Sequence, residues 1–208
     1  MLYNDTVILL YAKAPVAGTV NTRLIPDIGV EAATQLQHDF IHQRLRMLSD
    51  AKLSDVFLMC APDKEHACFL QCQKKYPVSL YEQSGVHLGE RIINGVSLAL
   101  EKYKYCIVIG TDAPALNGAA IKQAIAVLHE GSDVVFVPAE DGGYVLVGLQ
   151  QPGDFLFRDI SWGSAQVMQQ SRERLLQQGL SFEELATSWD VDRFDDYQRY
   201  LALTEQRL

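Results

Sequence analysis

An apolar run, Cys106-Ile107-Val108-Ile109, ends at Gly110-Thr111-Asp112-Ala113-Pro114. No polar residue interrupts it, which suits a strand covered on both faces. Gly110 allows close approach of a backbone or ligand, and Pro114 stops the strand. Asp112 would then stand at the carboxyl end of a strand, where open α/β sheets bind ligands. A carboxylate there can hold a divalent cation, or more simply cap the next helix. Two further carboxylates occur in Trp189-Asp190-Val191-Asp192. In an extended segment Asp190 and Asp192 point to one side, and they repel unless a cation or water separates them. The simpler role for Asp192 is a helix N-cap.

Cations enter through the loop Ala12-Lys13-Ala14-Pro15-Val16-Ala17-Gly18-Thr19-Val20-Asn21-Thr22-Arg23-Leu24. It is long for a strand-to-helix connection, and such loops are often functional. Backbone N–H groups together with Lys13 and Arg23 can wrap phosphates. The loop holds neither G-x-G-x-x-G nor G-K-[ST], so it is neither a dinucleotide fingerprint nor a P-loop. Glu90 and Arg91 fall in the first turn of a predicted helix; the glutamate suits the helix dipole, whereas the arginine asks for a nearby anion. Asp141-Gly142-Gly143 reads first as a turn. Its glycines would also let the backbone approach a sugar or base, with Asp141 accepting hydroxyl hydrogen bonds. Trp162 is placed to stack on a ligand or to fill the core rim, and Ser164 is a predicted N-cap.

Three other patterns carry less. His38-Asp39-Phe40-Ile41-His42 spaces two histidines like a zinc protease, but the acid is too short and no third ligand is evident. Cys68 and Cys72 share a helix face near His66, yet C-x₂-C spacing and a fourth ligand are missing. A haloacid-dehalogenase phosphatase needs a second acid where Pro114 stands. Cys60 and Cys106 read as buried small hydrophobes.

These residues need a scaffold, and the chain alternates strand-like with helix-like segments. Strands are predicted at Thr6 to Ala12, Asp55 to Cys60, Val78 to Tyr81, the Cys106 run, Asp133 to Pro138 and Tyr144 to Leu149. Helices are predicted at Glu31 to Ser49, Asp63 to Lys75, Leu88 to Lys102, Gly118 to His129, Ser164 to Gln178 and Phe194 to Leu203. That alternation predicts an α/β fold with a mainly parallel sheet and helices on both faces. Right-handed crossovers place most strand ends, and hence the candidate loops, on one side. With 208 residues and no linker, one domain over 1–208 is expected. A net charge of -8 argues against nucleic acid or an anionic membrane as partner. Met1 to Asp5 shows no basic n-region or long apolar h-region, so a cytoplasmic protein without a signal peptide or membrane span is expected.

Five motifs, in order, resemble those of a bacterial nucleotide-diphospho-sugar-transferase-like family. They are Tyr11 to Leu24, Leu88-Gly89-Glu90-Arg91, Gly110 to Pro114, Asp141-Gly142-Gly143-Tyr144 and Asp190-Val191-Asp192. Members are usually described as glycosyltransferases of GT-A fold, some assigned to arsenosugar biosynthesis, and they are related to molybdenum-cofactor nucleotidyltransferases. The chain departs from the family pattern at Ala17 (usually proline), Asn21 (usually lysine), Val86-His87 (usually Gly-Asp) and Trp162-Gly163-Ser164 (usually Trp-Ser-Thr). The resemblance implies a three-layer α/β/α domain with a mixed sheet, a nucleotide over the first loop, and Mg²⁺ or Mn²⁺ near Asp112. Joined to the residues above, it assigns nucleotide and phosphate contacts to Ala12, Lys13, Gly18, Thr22, Arg23, Glu90 and Arg91. Sugar or acceptor contacts fall on Thr111, Asp141, Gly142, Gly143, Trp162 and Ser164, and metal ligation on Asp112, Asp190 and Asp192. Asp112, Arg23 and Lys13 carry the catalytic roles. The implied reaction is sugar transfer from a nucleoside diphosphate to a small acceptor. Nucleotidyl transfer with pyrophosphate release, or nucleotide binding without catalysis, are the alternatives.

Overall fold

A computed structural model describes residues 1–205. Its centre is a seven-stranded sheet in the order β3-β2-β1-β4-β6-β5-β7. The strands are β1 (Thr6–Lys13), β2 (Asp55–Ala61), β3 (Ser79–Glu82), β4 (Tyr105–Ile109), β5 (Val134–Pro138), β6 (Tyr144–Leu149) and β7 (Phe182–Glu184). All neighbours pair in parallel except β6, which runs antiparallel to both β4 and β5. That reversal matters. It brings the start of β6, with the Asp141-Gly142-Gly143 turn before it, to the rim formed by the ends of the parallel strands.

Alternate residues of each strand feed opposite layers, the period of two that a doubly covered sheet requires. Ile8, Leu10, Ile107 and Ile109 pack with α1 (Ile25–Ala51), α2 (Ala67–Lys75) and α4 (Gly118–His129). Val7, Leu9, Cys106 and Val108 pack with α3 (Leu88–Leu100), α5 (Asp154–Phe157) and α6 (Val167–Gln178). The result is the expected three-layer mixed-sheet fold. A third, smaller cluster joins Leu24 of the first loop, Leu36 and Phe40 of α1, Trp189, Val191, and Tyr200 of α7 (Phe194–Glu205). It ties the chain after β7 to the loop after β1. No helix among the described residues is long and apolar enough to cross a membrane.

Several boundaries differ from expectation for identifiable reasons. α1 begins at Ile25 with a proline in its first turn and is kinked at Gly29 (φ 80°), so apolar spacing reveals only the helix beyond the kink. α2 starts at Ala67, capped by His66, whose Nδ1 accepts the Cys68 N–H at 3.3 Å. α6 starts at Val167, not Ser164. The Ser164 hydroxyl donates to the Ser161 carbonyl at 2.7 Å and closes a turn before the helix. α5 and β7 are four and three residues long, too short to show a period.

Candidate active site

Register sets the depth of the site. Leu10 pairs with Ile109 across β1 and β4. Lys13 and Asp112 each lie three residues beyond that rung and so emerge together at the rim. A cleft of about 440 Å³ opens there. Ala12, Lys13, Thr22, Arg23, Thr111, Asp112, Trp162, Asp190 and Asp192 line it.

Each contributor is held by contacts that motif reading does not reveal. The Ala12 carbonyl accepts from Gln83 Nε2 at 3.1 Å, and the Lys13 carbonyl accepts from Gln37 Nε2 at 3.0 Å. Asn21 adopts φ 48° and donates from Nδ2 to the Ala33 carbonyl at 2.9 Å. This folds the first loop back on α1 and delivers Thr22 and Arg23 to the cleft. A side chain at Gly110 would meet the Asp112 carboxylate at 2.7 Å. Glycine there lets the carboxylate turn back over the strand end.

Asp112 is half-buried, and its backbone carbonyl accepts the Val191 N–H at 2.9 Å. The C-terminal segment is thereby stitched to the end of β4. Trp189 and Val191 are buried, while Asp190 and Asp192 alternate with them toward the cleft. Two apolar anchors hold two carboxylates in place. Beneath this loop, buried Arg44 donates from its two terminal nitrogens to the Ala113 and Leu116 carbonyls. Its charge also draws down the Asp112 carboxyl. Gln37 and Arg44 are seven residues apart on the apolar face of α1. Two buried polar residues in that stripe were the available signal for them.

Some predicted residues sit elsewhere. Gly18, Glu90, Arg91, Asp141, Gly142, Gly143 and Ser164 do not line the cleft. The Glu90 carboxylate turns back to accept the Val86 N–H at 2.7 Å, and Arg91 Nε donates to the Gly85 carbonyl at 3.0 Å. Both shape the turn before α3. Asp141 Oδ1 accepts the Gly143 N–H at 2.9 Å, and Gly142 (φ 92°) packs where a side chain would strike Ala165. The turn therefore positions the start of α6, although the Asp141 charge still reaches Asp112 and Asp190. Trp162 lies edge-to-face with Tyr144, ring centroids 6.2 Å apart. Arg23 pairs with Asp192, so a predicted phosphate ligand and a predicted metal ligand neutralise each other.

Burial and neighbouring acids raise two of the clustered carboxyls. Burial pushes the Asp112 carboxyl above its ordinary range; Arg44 opposes this, and Asp192 and Asp141 add to it. Burial, then the Asp112 and Asp141 charges, push Asp190 up to about 7. An unfolded aspartate loses its proton near pH 4. Between about pH 4 and about pH 7 the folded chain therefore holds the extra proton, and stability falls as pH rises through that window. In chelator, Tm is expected to drop between about pH 4 and about pH 7, with roughly 2 kcal/mol at stake after solvent screening. Asp190→Asn should flatten most of that slope in a melting series, and an unchanged slope would rule Asp190 out as its source.

The fold is shared with several solved structures. One, from Desulfovibrio desulfuricans, is described provisionally as a nucleotide-diphospho-sugar transferase. It is 28% identical over 91% of this chain and 83% of that one, with a TM-score of 0.80. A nucleotidyl transferase from a Methanothermobacter species is 15% identical over 99% of this chain and 100% of that one, with a TM-score of 0.65. The 4-diphosphocytidyl-2C-methyl-D-erythritol synthase of Anaerococcus prevotii is 9% identical over 97% of this chain and 99% of that one, with a TM-score of 0.64. At such identities the last two show the fold alone. No curated protein matches the sequence. The architecture is that of the nucleotide-diphospho-sugar transferases. The chain itself belongs to the family described as "Uncharacterized protein conserved in bacteria (DUF2064)", whose model matches residues 44–164.

Proposed function

We propose that this protein is a metal-dependent transferase that moves a sugar from a nucleoside diphosphate to a small acceptor. The observation that carries this reading is the meeting of Asp112, Asp190 and Asp192 with Lys13 and Arg23 in one cleft at the strand ends. Buried carboxyls raised further by neighbouring acids, as Asp112 and Asp190 are, mark a site short of positive charge. An all-oxygen donor set fits Mg²⁺ or Mn²⁺. Asp112 and Asp190 would hold the ion, and Asp192 would join once Arg23 leaves it. A bound ion would supply neutralisation of the diphosphate and of the leaving oxygen.

The chain's own groups do the rest. Lys13 and Arg23 bind the phosphates, Arg23 exchanging the Asp192 carboxylate for phosphate oxygens, a charge-assisted contact of the same kind. Trp162 offers an apolar face to the sugar or acceptor, and Asp141, outside the cleft lining, adds its negative charge to the acids there. Nucleotidyl transfer is the second reading, favoured by the fold shared with the nucleotidyl transferase and the cytidylyl-forming synthase. Its product is pyrophosphate, whereas glycosyl transfer releases a nucleoside diphosphate.

A thermal-shift screen of nucleoside triphosphates, diphosphates and nucleotide-sugars, with Mn²⁺ or with chelator, tests the proposal. A ligand at 100 times its Kd stabilises by about 2.7 kcal/mol, and the expected shift needs both nucleotide and Mn²⁺. Equal shifts in chelator would remove the metal from the reading. Silence from every nucleotide would remove the reading itself.

A further inference from the structure

Cys68 and Cys72 lie one turn apart on α2, and the fold adds a donor that is remote in sequence. Both thiols are buried. His42 of α1 stands half-buried beside them. One ligand atom from each of the three lies within 4.8 Å of the others. His66, nearer in sequence, is occupied: its Nδ1 accepts the Cys68 N–H. We infer that His42, Cys68 and Cys72 form a second metal site, for a zinc-type ion, between α1 and α2.

Donor chemistry separates this site from the cleft. Two sulfurs and an imidazole select zinc or copper(I), not the hard cations that carboxylates prefer. In a tetrahedron with ~2.3 Å zinc–sulfur bonds the sulfurs stand ~3.8 Å apart. Closing from 4.8 Å or less therefore asks for small side-chain shifts and no backbone movement. The imidazole also has a partner outside the cluster. The Tyr76 hydroxyl donates to the His42 carbonyl at 3.4 Å and lies 3.2 Å from His42 Nδ1. In the tautomer protonated at Nδ1 that oxygen accepts from the ring, and Nε2 would then be the ligand atom. Such a partner on the far nitrogen is the usual support of a ligating histidine. Binding releases two protons to solvent, one from each thiol. A fourth ligand would come from water. The ion would fasten the short α2 to α1.

The test titrates reduced, metal-free full-length protein with Co²⁺. One equivalent should give a thiolate-to-cobalt charge-transfer band, which Zn²⁺ abolishes by displacement. Cys68→Ser and Cys72→Ser should each remove most of that band. His42→Ala and Tyr76→Phe should weaken binding by about tenfold or more. Cys106→Ala, on the opposite sheet face, should change nothing. Should the variants fold poorly, the wild-type chain still decides, because the band itself requires thiolate ligands. A wild-type chain that gives no such band with Co²⁺ overturns the site. So does a band that survives the Cys68→Ser/Cys72→Ser double variant.

Discussion

Asp112→Asn is expected to lower turnover by about 10³-fold or more while leaving the protein folded and, in chelator, more stable. The substitution preserves shape and removes only charge. Loss of a charge that anchors a catalytic cation is worth several kcal/mol, and each ~1.4 kcal/mol is tenfold in rate. The gain in stability follows from the direction of the proton equilibrium. Burial raises the Asp112 carboxyl, so its ionised form costs the folded state free energy at neutral pH, and the amide does not. The two effects have opposite signs, which separates this residue from an ordinary structural one. Steady-state release of nucleoside diphosphate or pyrophosphate measures the first, and melting in chelator the second. Added Mn²⁺ should raise the Tm of the wild type and barely move that of the variant. Turnover within tenfold of wild type would show that Asp112 does not hold the ion.

The order of strands and helices was legible because their apolar periods are long and unbroken. α4 and β6 fall on their predicted residues. The Asp112 position was legible for the same reason: a run of four apolar residues that ends at glycine and acid has one natural place in such a sheet. What stayed hidden was mostly polar and remote. That β6 runs antiparallel, and so brings Asp141 to the rim, cannot be read from the Tyr144–Leu149 run itself. Arg23 and Asp192 are 169 residues apart, and only the Leu24–Trp189–Val191 cluster brings them into contact. Glu90 and Asp141 sit inside recognisable motifs, yet their carboxylates accept from neighbouring backbone N–H groups. A motif marks which residues belong together more reliably than it marks which of them face the ligand. His42 shows the converse. Its spacing pairs it with His38 on its own helix, whereas the fold sets it beside two cysteines on another.

Arg44→Met should cost roughly 2–4 kcal/mol of stability, because two buried carbonyls lose hydrogen bonds to a charged donor worth ~1.5–3 kcal/mol each, offset in part by no longer burying the charge. Those carbonyls, of Ala113 and Leu116, belong to the loop that carries Asp112. The guanidinium is held down to about 10 by burial and so stays charged at neutral pH. Arg44 is thus a positioning residue with two separable effects, one geometric and one electrostatic. A lysine restores the charge but cannot reach both carbonyls from one planar group. Arg44→Lys should therefore keep much of the stability loss, read as a lower denaturant midpoint. The pH dependence of Mn²⁺ binding should distinguish the two variants. Without the cation beneath it, Asp112 holds its proton to higher pH, so the binding midpoint rises in Arg44→Met and returns toward wild type in Arg44→Lys. A merely structural arginine would shift the denaturant midpoint and leave the pH midpoint of Mn²⁺ binding where it was.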